Sequence, residues 1–286
     1  MRLSARRYLH LPKVPTPPDI PVAEAALLVF GELGPAATGG TLLELAQLGA
    51  LRIDEGTTER SPQTVVLVDA EAAPYAHHRA LLKELFPLLK PGESRVLRRG
   101  RKDNLRMLAA QDGLAAAVVP QMAERDWFHR MPLAGRPGAL LRRTRVVGWG
   151  SLTPAGHAMV DEVLGFRRYL GTLEIGEVRQ AELHRFLPWA LTLGLHHRWE
   201  QLAAGLEVGD DEPVTWWSAT GMFRLGPFRQ GLAAFTGAAT LKAAQDTKYA
   251  YGLFDHDPGD FTDFDTAPPG DSSSVGFDAG GSDGNW

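Results

Sequence analysis

"TLLELAQLGALRIDEGTTERSPQTVVLVD", residues 41–69, changes its hydrophobic period midway, and that change decides the fold class. Up to Leu48 the apolar residues Leu42, Leu45, Ala46 and Leu48 recur at helical spacing and are read as the inner face. Gly49 is placed to close the helix in a left-handed conformation, and Thr41, Glu44 and Gln47 become the outward residues. Beyond it, "ALRIDE" and "TVVLVD" alternate or run in β-branched residues on either side of the polar "GTTERSPQ", which predicts a hairpin with a long tip. One helix precedes this unit, "VAEAALLVFGEL" (22–33), with Ala25 or Ala26, Val29 or Phe30, and Leu33 inward. The glycines of "GELGPAATGG" (31–40) are read as the link between the two helices. Helix, helix, strand, turn, strand is the order of a winged-helix module.

Upstream, "PKVPTPPDIP" (12–21) should be an extended strap, because each proline fixes its own φ and pushes the residue before it out of the helical region. Downstream, "HHRALLKELFPLL" (77–89) reads as a helix that ends near Pro91-Gly92, and "SRVLRR" (94–99) as a short strand. A longer helix follows over 102–128, bent at Gly113 or Pro120. The organisation expected is a basic, proline-rich arm (1–20), a winged-helix-like domain (21–130), a Gly/Pro/Arg linker (131–150), a helical domain (151–250) and a disordered acidic tail (251–286). The fold class is therefore α+β and mainly α, with both domains packed as one body.

The second domain opens on "LTPAGHAMVDEVLGFRRYL" (152–170), where Thr153 suits the N-cap and Pro154 the first helical position. Ala155, Met159, Val163, Phe166 and Leu170 share one face, and Asp161, Glu162, Arg167 and Arg168 are assigned to the surface. Gly165 inside this helix costs about 1 kcal/mol against alanine, so a close neighbour is expected there. Residues 180–206 read as two helical segments interrupted at Pro188 and Gly194, and 228–245 as a weaker amphipathic helix.

Charge is distributed unevenly. Residues 255–286 hold eight aspartates and no Lys or Arg, so a formal net charge of −4 becomes +4 once they are set aside. Basic residues gather at Arg95, Arg98, Arg99, Arg101 and Lys102, and again at Arg142, Arg143 and Arg145; these are the candidates for contact with an anionic surface. Phe261, Phe264 and Trp286, spaced among aspartates, are candidates for docking the tail on a partner.

Catalytic and ligand-binding motifs are the next test. The chain has no cysteine, which removes disulfides, thiolate-held metal and cysteine redox chemistry. The pairs His77-His78 and His196-His197 cannot each grip one ion, since adjacent helical side chains diverge by about 100°; surface or helix-end positions are expected for them. No HExxH, GxSxG or GK[ST] pattern occurs, so no catalytic residue, metal or cofactor is assigned. Nucleic acid is disfavoured as a partner because the second helix offers Glu44 and no Lys or Arg outward. No run approaches the roughly 20 apolar residues that a membrane-spanning helix needs, and the N-terminus lacks an apolar signal core, so a cytoplasmic location is expected.

Four stretches, "PPDIPVAEAALLV", "TLLELAQLGALRIDE", "LTPAGHAMVDEVLGFRRYL" and "RFLPWALTLGLHHRWEQLAAGL", together with the Gly/Ser-rich end "SSSVGFDAGGSDGNW", occur in an order that resembles the domain-of-unknown-function family 2207, predicted bacterial membrane proteins of the YciQ-like type. The resemblance implies the cytoplasmic part of such a protein with its membrane spans absent, residues 131–150 standing where a hydrophobic hairpin would be. It brings no catalytic residues. The function expected is a non-enzymatic interaction or regulatory module with a protein partner, peripheral at the inner membrane face; the alternative is a winged-helix nucleic-acid-binding regulator.

Overall fold

A computed structural model of the chain describes residues 10–31, 33–55, 62–97, 101–129, 152–174, 178–205 and 215–218, with the backbone alone for 101–105. Their element order is α1 (Val22–Phe30), α2 (Pro35–Gln47), β1 (Leu51–Asp54), β2 (Thr64–Leu67), α3 (Ala76–Leu85), β3 (Ser94–Val96), α4 (Arg101–Ala123), α5 (Pro154–Gly171), α6 (Gln180–Thr192) and α7 (His196–Gly205). The structure is mainly helical with one small antiparallel sheet of order β1-β2-β3. Register is set by Leu51 opposite Leu67 and by Thr64 opposite Val96. In β1 and β2, Leu51, Ile53, Val65 and Leu67 turn inward with the two-residue period that one covered face demands.

α1 is buried along its length, Glu24 included, so it is a central helix rather than the one-sided helix its sequence suggested. α2 begins earlier than expected. "PAATGG" is its first turns, with Pro35 at the first position, and not a link. The reason is tertiary: Gly39 and Gly40 let α6 approach so closely that a Cβ on Gly40 would lie 1.8 Å from Thr192 Oγ1 and 2.8 Å from Pro188 O. α2 ends as expected, Gly49 taking φ 81° with its N–H on Ala46 O while Ala50 N–H reaches Leu45 O.

α6 passes through Pro188 without breaking and stops at Gly194, φ 80°. A proline inside a helix removes the bond to the carbonyl four residues back, here that of His184. Gln47, at the end of α2, donates its side-chain N–H to that carbonyl, so the orphaned acceptor is satisfied from the neighbouring helix.

α5 carries the expected cap: Thr153 Oγ1 accepts from Gly156 N–H at 3.1 Å, and Pro154 follows at the first position. Its inner face is rotated relative to the expected stripe. Ala155 is exposed, Val160 and Leu164 join Val163, Phe166 and Leu170 inside, and Arg167 is buried with its Nε–H on Leu193 O. That guanidinium closes the carbonyl end of α6, where positive charge is favoured. Gly165 has the expected neighbour, since a Cβ would meet Val14 Cγ2 at 2.7 Å and Pro12 O at 2.8 Å. The extended strap crosses α5 there, Val14 N–H bonding Gly165 O.

One apolar core runs from Leu11 to Trp217 and joins elements from both sides of residues 131–150, with Phe166 set edge-on to Phe186 and Trp189. The outer edge of β1 is covered by Trp216–Ser218, through Ile53 N–H to Trp216 O and Ser218 N–H to Ile53 O. No helix among the described residues is long and apolar enough to cross a membrane.

Candidate functional site

Two features border α3, one at its start and one beyond its end. The first is a polar junction inside the helical body. Glu24, in the first turn of α1, is buried and pairs with Arg125 just after α4, at 2.9 Å. Burial raises its pKa above the ordinary carboxylate range, and Arg125 acts against that rise. Glu44 of α2 faces inward instead of outward: one oxygen accepts from Val22 N–H, a free donor at the start of α1, and the other lies 3.1 Å from His78 Nε2. His77 Nδ1 hydrogen-bonds Gln121 Oε1 of α4, and the ring stacks on Tyr75 at 5.4 Å.

His77 and His78 do stand at a helix end, but both are completely buried, which corrects the surface expectation. They cross at 4.5 Å, and His77 Nε2 and His78 Nδ1 have no hydrogen-bond partner. Burial first, then the neighbouring His78, pushes His77 down to about 3. His196 and His197 keep the expected helix-end place at the start of α7, with His197 exposed. No group of three or more metal-binding side chains occurs among the described residues.

The second feature is apolar. Leu48, Val68, Leu88 and Leu89 are exposed by 43%, 43%, 68% and 39%, against a core in which other large aliphatic side chains are closed off. They are far apart in sequence, and backbone hydrogen bonds bring their segments together. Ala50 O accepts from Val68 and Asp69 N–H, Leu67 O accepts from Gly92 N–H, and Leu67 N–H donates to Glu93 O. These bonds tie the end of α2, the end of β2 and the loop 86–92 together at one end of the sheet. Leu89 is held at φ 48°, a left-handed conformation that costs a branched residue about 1 kcal/mol.

The sequence pattern points these leucines elsewhere. Helical spacing points Leu48 inward, but α2 ends at Gln47 and Leu48 is its exposed C-cap, just ahead of the left-handed Gly49. The periodicity predicts helix through Leu88 and Leu89, but α3 stops at Leu85 because Phe86 precedes Pro87 and is forced out of helical geometry, φ −127° and ψ 77°. That proline was the signal to use.

The basic candidates fare differently. Arg95 folds back, donating to Leu85 O, Ser94 O and Glu93 Oε1 with its guanidinium 5.6 Å from the Phe86 ring, so it serves the sheet end internally. Arg101 and Lys102 stand in the first turn of α4, and their side chains lie outside the described residues. Arg98, Arg99, Arg142, Arg143, Arg145, Phe261, Phe264 and Trp286 also lie outside them, as do the linker 131–150 and the helix expected at 228–245. Thr41 is buried, with its hydroxyl on Ala37 O, and Gln47 is engaged with α6, so the expected outward face of α2 is largely an internal one.

No protein-family model matches the chain, and no match was found among curated proteins or among solved structures.

Proposed function

We propose that this chain is a non-enzymatic interaction module that holds a protein partner on the apolar sheet end formed by Leu48, Val68, Leu88 and Leu89. The observation that carries the reading is their convergence: four exposed large apolar side chains from three separate segments, fixed relative to one another by backbone hydrogen bonds. Clustered apolar exposure of this kind marks contact surfaces, whereas single exposed leucines are ordinary. The strained backbone at Leu89 adds to it, because strain is kept where a side chain must be presented.

The order α1, α2, β1, β2 supports a winged-helix-like reading of residues 22–67, put to protein contact. With α2 enclosed between α1 and α6, that helix is unavailable to a DNA groove. Kinship to the family of predicted membrane proteins is part of the proposal. It is supported by the ends of the stretch that replaces the hairpin: Phe128 and Leu152 pair in an antiparallel bridge, and Thr153 N–H bonds Trp127 O at 3.0 Å. Ends so placed suit an insertion or deletion between them, and the module so derived is proposed to work in the cytoplasm.

The test is quantitative affinity recovery with the full chain, comparing wild type with Leu88→Asp/Leu89→Asp and with Ala158→Asp on the exposed face of α5. The proposal expects one partner whose recovery falls at least tenfold in the double variant alone, with helical circular dichroism unchanged. Equal recovery by all three proteins would overturn it.

A further inference from the structure

α3 is seated differently from the other helices. Its apolar residues Leu81, Leu82 and Leu85 are buried and it packs chiefly against α4; its polar ties are two imidazoles near its start and, at its end, the Leu85 carbonyl that accepts from Arg95. His77 reaches Gln121 of α4, and His78 reaches Glu44 of α2. The segments on either side, 69–75 and 86–93, are turns with several exposed residues. A helix so connected can leave its seat without dismantling the α1–α2–α6 core.

We propose that α3 is an acid-released element: a proton taken up at His77 Nε2 unseats Ala76–Leu85 from α4. The ring nitrogen that would receive this proton is buried and faces no acceptor, so the imidazolium would be both desolvated and unpaired. The groups around it are Glu24 from α1, Glu44 from α2, Tyr75 and His78 beside it, Asp19 of the strap acting on Tyr75, and Gln121 and Arg125 from and just after α4. Neither carboxylate is free to take the charge, since Glu24 is engaged by Arg125 and Glu44 by His78 and Val22 N–H. Burial holds His77 at about 3 while seated; released into water, it returns to its ordinary 6.5. Over that window the released form binds the extra proton, so release gains as pH falls. Glu24, raised by burial, works in the opposite direction at its own titration, so the His77 contribution must be isolated by difference. The inference concerns α3 alone and stands whether or not Leu88 meets a partner.

Hydrogen exchange of the full chain at pH 7 and pH 5, corrected for intrinsic rates, is the experiment. The opening equilibrium of α3 amides should rise about 25-fold at pH 5, with α6 amides unchanged. His77→Phe/Gln121→Leu, which replaces both partners of the bond with apolar groups, should abolish the rise. If that variant does not fold, His77→Gln removes the titration while keeping a polar side chain and carries the same expectation. Protection of α3 that is flat with pH, that changes equally in the variant, or that is lost in step with α6 would overturn the proposal.

Discussion

The seat of α2 on α6 and the seat of α3 on α4 are both buried helix contacts, built from different chemistry. The first is a contact of small residues: Gly40 against Thr192 and the Pro188 carbonyl, with Gln47 closing the single backbone vacancy that the proline creates. Its cross-helix hydrogen bond runs from an amide to a backbone carbonyl, neither of which titrates. The second combines leucines with His77 and His78, bonded to Gln121 and Glu44, and an imidazole's hydrogen bonding depends on its protons. The comparison teaches that similar burial can give a fixed frame or a conditional attachment, depending on whether the polar groups enclosed are amides or acid–base groups.

The sharpest way to break the frame is Gly40→Ala. Its Cβ would fall on Thr192 Oγ1 and the Pro188 carbonyl, and the backbone side of that clash cannot rotate away, so a loss of about 3 kcal/mol is expected in denaturant unfolding. Gly40→Ala/Thr192→Ala should recover part of it. On the conditional side, wild type should lose about 2 kcal/mol between pH 7 and pH 5 relative to His77→Phe/Gln121→Leu. The sign follows from a folded-state value of about 3 against 6.5 in the open chain: stability is intact above 6.5 and drains as pH falls toward 3. A smaller effect separates the two seats further. Gln47→Ala should cost about 1.5 kcal/mol by leaving the His184 carbonyl unpaired, and almost nothing in a Pro188→Ala background, where the helix supplies its own N–H. The smallest effect has the opposite sign: Leu89→Gly should stabilise by about 0.5 kcal/mol while weakening partner recovery, because it relieves the left-handed backbone and removes a contact side chain.

The frame was legible where local chemistry sufficed. Thr153 with Pro154, Gly49, Gly194 and the crowding at Gly165 each follow from a cap, a left-handed φ or a missing Cβ, and each stands where the sequence placed it. Two errors share another cause. "PAATGG" looks like a loop in isolation and becomes helix because α6 needs its glycines, and Pro188 looks like a break but is repaired by Gln47, distant in the chain. The α3 flank was least legible. His77 and His78 resemble surface residues until α1, α2 and α4 enclose them, and the apolar sheet end is assembled from three segments that sequence order keeps apart. Only the helix-ending effect of Pro87 announced it.

On the proposed function the α3 side, and not the α2–α6 frame, meets the partner. Photo-crosslinking in cells from benzoylphenylalanine placed at position 88, compared with position 158 on exposed α5, tests it most directly. Position 88 should give one discrete adduct, lost when Leu48→Asp is added, and position 158 none. An adduct from position 158 alone, or equal adducts from both, would contradict it.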